Sequence, residues 1–322
     1  MLAAYARSIS RDDPLSGLVV GDRPDPEPEP GWAVVELKAA TLNHHDLWSL
    51  RGVGLPADRL PMILGCDAAG LSADGSPVVV HSVIASPGWH ADETLDPRRS
   101  ILSEIHQGTF CERIVVPESN LVPLPEGMSF ETAATLPTAW LTAYRMLFTQ
   151  GELTPGSLVL VQGAGGGVAT ACIQLGAAAG LRVWVTARDE TKRQRALDLG
   201  AEAVFESGAR LPEKVDAVME TVGAATWSHS VNVLRPGGAI VISGATSGDA
   251  PDKAELTKIF FRQLRVIGST MGTRFELDRL AHLVRSAGIE PTIDSTYPLE
   301  RAREAFERLA SGETFGKIVL TR

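Results

Sequence analysis

Residues 158–169 constrain the fold of this chain more than any other stretch. They read Leu-Val-Leu-Val-Gln-Gly-Ala-Gly-Gly-Gly-Val-Ala, and residues 170–175 continue as Thr-Ala-Cys-Ile-Gln-Leu. The apolar run at 159–161 is typical of a buried parallel strand, and the spacing of apolar residues at 170–175 is typical of a helix. In a strand–turn–helix unit with glycines in the turn, the first backbone N–H groups of the helix point toward the turn. The positive end of the helix dipole lies at the same place. Because glycines let a ligand approach the backbone closely, the stretch predicts a site for a pyrophosphate.

The same alternation continues after this unit. We predict strands at 182–187, 216–220, 239–242 and 264–268, and a second helix at 191–199. Alternating strands and helices indicate an α/β domain built on a Rossmann doubly wound parallel sheet. A lone glycine motif is equally compatible with a tight turn before any helix, but the repeated pattern favours a dinucleotide.

The composition of the chain argues against several classes of function. The chain has 322 residues, 44% of them hydrophobic, which suits two domains with separate cores. Its net charge of -9 and pI of about 5.3, without a basic block, make nucleic acid and anionic membranes poor partners. The three cysteines, Cys66, Cys111 and Cys172, are too few and too far apart for a disulfide framework, so we expect a cytoplasmic protein. We see no signal peptide in residues 1–10 and no apolar run that would span a bilayer.

The rest of the chain is mixed in pattern. We predict strands at 32–40, 77–81, 109–117 and 316–320, and helices at 41–51, 130–147 and 299–309, the second of them broken at Pro137. Residues 22–30 are rich in proline and acidic residues and are predicted to form an extended surface loop. Residues 84–108 form a long irregular lobe, and a loop of that length inside a compact domain is often functional.

The order of several short segments resembles the medium-chain dehydrogenase/reductase superfamily, and within it the quinone oxidoreductase-like and zinc-type alcohol dehydrogenase-like members. The resemblance runs nearly end to end, and each segment alone is a weak signal. The matching segments are residues 41–46, 61–70, 108–117, 133–144, 234–238 and 316–320. The resemblance implies a GroES-like, partly opened β-barrel domain at 1–138 and 270–322, a Rossmann domain at 139–269, and a homodimer.

The same resemblance bears on metal binding. The catalytic zinc of this superfamily takes three protein ligands, and the matching positions are Asn43, Cys66 and Thr138. Asparagine and threonine are poor zinc ligands, and the lobe at 84–108 lacks the cysteines of a structural zinc site. We therefore predict no metal. The alternative is an improvised site drawn from His44, His45, Cys66 and Asp67.

Cofactor contacts follow from the glycine stretch and from the resemblance. Residues 164–169 carry alanine where the outer glycines of the fingerprint stand, as in many quinone oxidoreductase-like members. At the end of the second strand, Ala187 stands where NAD-dependent relatives place an acidic residue, and Arg188 follows it. Arg188, helped by Lys192, suits the 2′-phosphate of NADPH, whereas Asp189 would favour NADH if it faced the ribose. The predicted cofactor-binding residues are Thr142, Gly165, Gly166, Gly167, Val168, Arg188, Lys192, Ser243, Gly244 and Ala245.

The substrate side must stabilise the charge that hydride delivery creates. Without a metal, an enolate or phenolate is the simplest anion to stabilise, because hydrogen-bond donors suffice for it. We therefore predict a reductase of a small-molecule quinone, enone or related carbonyl compound. The predicted catalytic residues are Asn43, His45 and Asp46, with His44 as a further donor, and the predicted pocket residues are Trp48, Cys66 and Thr138. Helix capping for Asn43 and surface exposure for the histidines are the structural alternatives.

Two other functions stay open. One is an alcohol dehydrogenase, with or without an improvised metal site. The other is a non-catalytic NADPH-binding protein with a structural or regulatory use.

Overall fold

The computed structural model describes all 322 residues, and the chain divides into two compact units. The first consists of Met1–Leu141 and Met271–Arg322, and the second of Thr142–Thr270. Sequence analysis placed the domain boundaries at 138/139 and 269/270.

The N-terminal part of the first unit is built from ten short strands. The longest of these strands has ten residues and is followed two residues later by a short helix. The strands are β1 (Leu2–Ala6), β2 (Leu18–Asp22), β3 (Trp32–Thr41), β4 (Met62–Ile63), β5 (Asp67–Ser72), β6 (Pro77–Val80), β7 (Val83–Ile84), β8 (Ser100–Ile101), β9 (Arg113–Pro117) and β10 (Leu121–Pro123). The helices are α1 (His44–Leu50) and α2 (Phe130–Ala134), with 3₁₀ turns at Pro14–Gly17, Ala57–Arg59, Glu93–Leu95 and Glu118–Asn120.

The helix predicted at 130–147 changes type at its proline. After α2 the backbone forms a π-helical turn at Leu136–Trp140, then α3 (Leu141–Tyr144), then a second π-helical segment at Arg145–Gln150. Pro137 lies in the first π-helical turn, and proline has no N–H to donate to an α-helical ladder. The predicted break is therefore a widening of the helix.

The second unit contains the sheet that the sequence predicted most directly. Its strands are β11 (Leu158–Gln162), β12 (Arg182–Ala187), β13 (Ala203–Glu206), β14 (Val215–Glu220), β15 (Leu234–Ile242) and β16 (Arg265–Gly268). Its helices are α4 (Gly167–Ala178), α5 (Glu190–Asp198), α6 (Ala224–Val233) and α7 (Leu256–Phe261). All pairings are parallel in the order β13-β12-β11-β14-β15-β16, which is the strand order of a doubly wound dinucleotide-binding sheet. The predicted Rossmann fold is confirmed.

The chain then returns to the first unit. It adds α8 (Arg274–Ser286), β17 (Ile293–Pro298), a 3₁₀ turn at Leu299–Arg301, α9 (Ala302–Ala310) and β18 (Lys317–Thr321). β18 pairs with β3 and completes a sheet in the order β10-β6-β5-β3-β18-β17, with β9 also on β3. The pairing of β18 with β3 brings the last strand of the chain beside the start of α1.

The helix α9 shows how the first unit closes its core. Its buried residues, Ala302, Ala305, Phe306 and Leu309, follow helical spacing and form one face. The ring of Phe306 meets that of Phe110 edge-on at 5.8 Å between centroids. An edge-to-face pair at this distance adds to the burial of both rings.

The lobe at 84–108 is more ordered than its sequence suggested. β7 and β8 pair at its base, and a 3₁₀ turn interrupts it. The buried carboxylate of Asp96 accepts hydrogen bonds from the N–H groups of Ser86 at 2.6 Å and Arg98 at 2.8 Å. These contacts tie Ser86 and Arg98 of the lobe to Asp96. Across the chain, no helix has both the length and the apolar character needed to cross a bilayer.

Candidate active site

The glycine turn after β11 has the geometry of a phosphate cradle. Gly163 adopts a φ of +85°, which favours glycine, and its N–H donates to the carbonyl of Thr186 at 2.8 Å. Gly166 immediately precedes α4, and a Cβ placed on it would meet no atom within 4 Å. The first N–H groups of α4 have no intrahelical acceptors and lie next to this open space. The predicted cofactor-binding residues Gly165–Gly167 do not include Gly163, although Gly163 is the glycine of this turn with a positive φ.

Three residues at the end of β12 bear on the choice between NADH and NADPH. The carboxylate of Asp189 accepts the backbone N–H of Lys192 at 2.8 Å and caps α5. Ala187 ends the strand and offers no carboxylate, while the side chain of Arg188 is exposed. The capping role of Asp189 weakens the alternative in which this residue binds the ribose of NADH.

Arg193 was not predicted as a functional residue, yet it lies directly beneath this turn. Only 8% of it is exposed. Its Nη1 donates to the carbonyl oxygens of Ala187 at 2.7 Å and Arg188 at 3.2 Å. No sequence signal separates Arg193 from the other charged residues of α5.

The carboxyl ends of β14 and β15 are held together by backbone hydrogen bonds. Ser243 N donates to Glu220 O at 3.0 Å, and a Cβ on Gly244 would lie 3.1 Å from Thr221 O. The buried Glu220 carboxylate accepts the N–H groups of Val222 at 2.8 Å and Gly223 at 3.0 Å. The predicted Ser243–Ala245 segment therefore lies at the ligand-binding end of the sheet, on a preformed turn. Thr142, also predicted, is buried in α3.

In the first unit, Asn43 stands at the centre of a buried polar network. Its Nδ2 donates to Asp67 Oδ2 at 2.8 Å, and its Oδ1 accepts from Lys317 Nζ at 2.6 Å. Lys317 Nζ also donates to Asp67 Oδ2 at 3.0 Å and to Leu42 O at 2.8 Å, so all three ammonium protons are used. Thr41 Oγ1 adds a bond to Asp67 Oδ2 at 2.8 Å. Asn43 was predicted as a donor to substrate, whereas both polar atoms of its amide are engaged inside the protein.

Lys317 and Asp67 were not singled out as an ion pair by the sequence. Lys317 is 3% exposed and Asp67 fully buried. Lys317 lies at the start of β18, and only the pairing of β18 with β3 places it at Asn43. A positive charge is thus fixed below the N-terminus of α1.

Asp46, a predicted catalytic residue, is a buried cap of α1. Its Oδ2 accepts the N–H of Asn43 at 2.7 Å, and its Oδ1 accepts that of Gly65 at 3.2 Å. Burial raises the pKa of this carboxyl to about 6, although His45 and the Asn43 N–H oppose the shift. The structure favours an anchoring role that joins α1 to the loop before β5.

His45, Cys66 and Glu104 form a chain of contacts. The Nδ1 of His45 lies 3.4 Å from the sulfur of Cys66, and its Nε2 lies 3.1 Å from Glu104 Oε1. Burial alone would lower the pKa of His45, but the Cys66 sulfur and the Glu104 carboxylate outweigh it and raise that pKa above its ordinary value. Both ring nitrogens of this predicted donor therefore have partners within the protein.

The lobe supplies the other contacts of Cys66, and burial raises the pKa of its thiol. The sulfur donates to Leu102 O at 3.3 Å and lies 3.9 Å from Ser103 Oγ. Ser103 is buried with a φ of +69°, a conformation that a non-glycine residue adopts only where its surroundings hold it. Residues 102–104 of the lobe thus form one wall around Cys66 and His45, a role that no sequence pattern indicated.

The positions matched to zinc ligands do not form a zinc site. The Asn43 amide is held by Lys317 and Asp67, and Thr138 offers only a hydroxyl, whose oxygen is buried without a hydrogen-bond partner. A different set, His45, Asp46 and Cys66, brings its donor atoms within 4.8 Å of one another. This set shares His45 and Cys66 with the improvised site considered above, but His44 is exposed and Asp67 is paired with Lys317. Absence of a metal stays a prediction.

Trp48 and His44 complete the predicted residues of this unit. Trp48 is half-buried on α1, and His44 at its first position is exposed. The loss of part of the ring's hydration, together with the charges of Lys317 and Arg51, lowers the pKa of His44. Of the two histidines, His44 is the more exposed.

The sequence of the chain matches two family models and several known proteins. A family model described as an alcohol dehydrogenase GroES-like domain matches residues 29–126, and one described as a zinc-binding dehydrogenase matches residues 189–320. The zinc-type alcohol dehydrogenase-like protein YogA of Leptosphaeria maculans is 30% identical over 334 residues, which cover 92% of each chain. The chain belongs to the medium-chain dehydrogenase/reductase superfamily. The predicted GroES-like domain and α/β class are thereby confirmed.

Two further similarities place this dehydrogenase/reductase among enzymes. The acryloyl-coenzyme A reductase of Sulfurisphaera tokodaii is 27% identical over 98% of this chain and 99% of its own. A solved structure described as an NAD-dependent alcohol dehydrogenase superposes with a TM-score of 0.91 at 34% identity and covers 100% of both chains. The protein is a nicotinamide-dependent oxidoreductase, as predicted.

Proposed function

We propose that this medium-chain dehydrogenase/reductase is an NADPH-dependent reductase of small molecules in which a carbonyl is conjugated to the bond being reduced, namely quinones, enones and related carbonyl compounds. The observation that carries the cofactor choice lies at the end of β12. There Ala187 offers no acid, Asp189 is used as the cap of α5, and Arg188 is exposed. An arginine at this position favours a 2′-phosphate over ribose hydroxyls.

The residues that would hold the cofactor lie at the carboxyl ends of the parallel strands of the Rossmann sheet. The glycine turn before α4 would take the pyrophosphate, and the turn at Ser243–Ala245 would support the nicotinamide end. When bound, NADPH supplies the hydride. This chain's own contribution is to bind the phosphates with backbone N–H groups and to fix the turns that surround them.

The argument for the substrate class rests on the chemistry of the three positions that match zinc ligands. Oxidation of a simple alcohol is usually assisted by a Lewis acid, and the matched positions Asn43, Cys66 and Thr138 do not provide one. An acceptor that spreads its new charge over a conjugated system needs only hydrogen-bond donors. The similarity to an acryloyl-coenzyme A reductase supports acceptors of this type, including conjugated thioesters.

Oxidation of NADPH and NADH, followed at 340 nm, tests the proposal. The panel contains quinones, enones, enoyl thioesters and saturated aldehydes as hydride acceptors. It also contains primary alcohols as hydride donors, which are assayed in the reverse direction through the reduction of NADP⁺ and NAD⁺. We expect turnover with conjugated acceptors and NADPH, and a selective loss of NADPH use in Arg188→Ala. The control Arg195→Ala, which alters an exposed arginine of the following helix α5, should not show this loss. A wild-type preference for NADH, or turnover confined to alcohols, would overturn the proposal. Tight NADPH binding without any turnover would favour the non-catalytic alternative.

A second candidate is a metal-dependent alcohol dehydrogenase. It is favoured by the donor atoms of His45, Asp46 and Cys66, which lie within 4.8 Å of one another. Asp46 and Cys66 have hydrogen-bond partners without an ion, because Asp46 accepts two backbone N–H groups and Cys66 donates to Leu102 O. Metal analysis of protein purified without chelator separates the two candidates.

We also propose a homodimer. β16 is the edge strand of the Rossmann sheet and is largely exposed. Beside it in sequence, Phe260 and Phe261 of α7 are 62% and 75% exposed. An exposed edge strand next to apolar side chains favours pairing with a second copy. Light scattering of the wild type and of Val266→Lys, a change on β16, tests the assignment, since the variant should shift toward monomer.

A further inference from the structure

The buried guanidinium of Arg193 calls for an explanation, because arginine is rarely buried unless it is paired. Its Nη1 donates to the carbonyl oxygens of Ala187 and Arg188. Its Nη2 pairs with the carboxylate of Glu190 and lies 3.8 Å from Glu206 Oε1. The side chain therefore joins the end of β12, the start of α5 and the end of β13.

The two carbonyls have a special relation to Arg188. The Ala187 carbonyl belongs to the peptide plane before the Arg188 α-carbon, and the Arg188 carbonyl belongs to the plane after it. Since φ and ψ of a residue are set by these two planes, fixing both planes also fixes the direction of its Cβ. One planar guanidinium with a rigid set of donors can hold both carbonyls, whereas a lysine ammonium on a flexible stem holds them less well.

We propose that Arg193 is a positioning residue for cofactor selectivity, which holds the two peptide planes around Arg188 so that the Arg188 side chain is oriented for the 2′-phosphate of NADPH. The inference rests on the proposed preference for NADPH. It assigns the selectivity of the site to two arginines, one exposed and one buried, in place of a single exposed residue.

The role is one of geometry more than of charge. The positive charge of Arg193 is offset by Glu190 and Glu206, whose side chains are 79% and 80% exposed. Two substitutions separate the effects: Arg193→Lys keeps the charge and loses the planar donor set, and Arg193→Gln loses both.

Calorimetric titration with adenosine 2′,5′-bisphosphate and with 5′-AMP measures the 2′-phosphate preference without any substrate. Losing a charge-assisted bond to phosphate changes affinity on the order of tenfold to a hundredfold. We expect Arg188→Ala to remove most of the preference, and Arg193→Lys and Arg193→Gln each to reduce it by about fivefold to twentyfold. The affinity for 5′-AMP should hold within about twofold in every variant. Arg195→Lys, on the exposed face of α5, is the matched control and should change neither value.

The double variant Arg188→Ala/Arg193→Lys completes the test. If Arg193 acts through Arg188, the double variant loses no more preference than Arg188→Ala alone. Additive losses would show that Arg193 acts on the phosphate by its own charge and would overturn the inference, as would Arg193 variants with an unchanged preference. Loss of 5′-AMP binding in both Arg193 variants would also overturn it, because the residue would then support the whole turn. A wild type without any preference for the bisphosphate would instead overturn the proposed cofactor.

Discussion

Replacing Lys317 with methionine tests the buried network beneath α1 most directly. The substitution keeps much of the side-chain volume and removes the ammonium that donates to Asp67, Asn43 and Leu42. Asp67 is fully buried, and Lys317 is its only ionic partner at 3.0 Å. The variant therefore leaves a carboxylate in the interior without a counter-charge.

The expected loss is large. Removing one partner of a buried ion pair costs about 3–5 kcal/mol, because the remaining charge has lost its compensation. The Asn43 and Leu42 oxygens lose a donor as well, which places the loss in the upper part of that range. In Lys317→Met/Asp67→Asn the stranded charge is absent, so more than half of the loss should be recovered. A buried pair seldom adds much stability over a neutral pair, which is why recovery is expected.

Hydrogen exchange is the suitable assay, because a two-domain chain does not unfold in a single transition. Peptides covering β3 and β18 should lose between two and four orders of magnitude of protection in Lys317→Met, which corresponds to about 3–5 kcal/mol. Peptides from β11 and β14, in the other unit, serve as the internal control and should be unchanged. A loss below about 1 kcal/mol, or a double variant less stable than Lys317→Met, would refute the assignment of Lys317 as the counter-charge of Asp67.

Three further predictions concern the turn, the metal and a buried acid. Gly166→Val should fold normally, since Gly166 has a φ of -72° and free space around it. Calorimetry should show at least about tenfold weaker NADPH binding to this variant. An unchanged affinity would mean that this turn does not bind the phosphates. Gly163→Ala, at a φ of +85°, should instead lower the unfolding temperature. Activity should be unchanged by EDTA and phenanthroline, and Cys66→Ser should retain substantial turnover, as should the control Cys111→Ser. One tightly bound zinc per chain, or loss of activity on chelation or in Cys66→Ser, would favour the metal-dependent alternative. The Asp46 carboxyl has a pKa raised from 3.8 to about 6 in the fold, so the folded state holds its proton more tightly than the unfolded state. Its ionisation therefore destabilises the wild type relative to Asp46→Asn as the pH rises from about 4 to 6, by about 3 kcal/mol. The hydrogen-exchange protection of peptides covering α1 measures this loss, and a difference that does not vary with pH would contradict the raised pKa.

Much of the Rossmann unit could be predicted from the order of its residues. A parallel strand buried on both faces must be continuously apolar, and the glycine turn that follows must admit a phosphate, so both features are local and visible in the order of residues. The predicted strand at 182–187 coincides with β12, and the predicted strand at 216–220 differs from β14 by one residue at its start. In the first unit most strands are short, and two to six residues carry little periodicity. The strands that were not predicted there are β1, β2, β4, β5, β7, β8, β10 and β17.

The polar clusters were decided by tertiary structure alone. Lys317 reaches Asn43 only because β18 pairs with β3, and Glu104 reaches His45 only because the lobe is folded back by contacts such as those of Asp96. Sequence shows which chemical groups a chain carries, but a hydrogen bond between residues separated by 59 or 274 positions depends on how sheets and loops close. For the same reason, the sequence could name Arg188 as a cofactor residue, whereas the buried arginine that fixes its backbone became visible only in the folded turn.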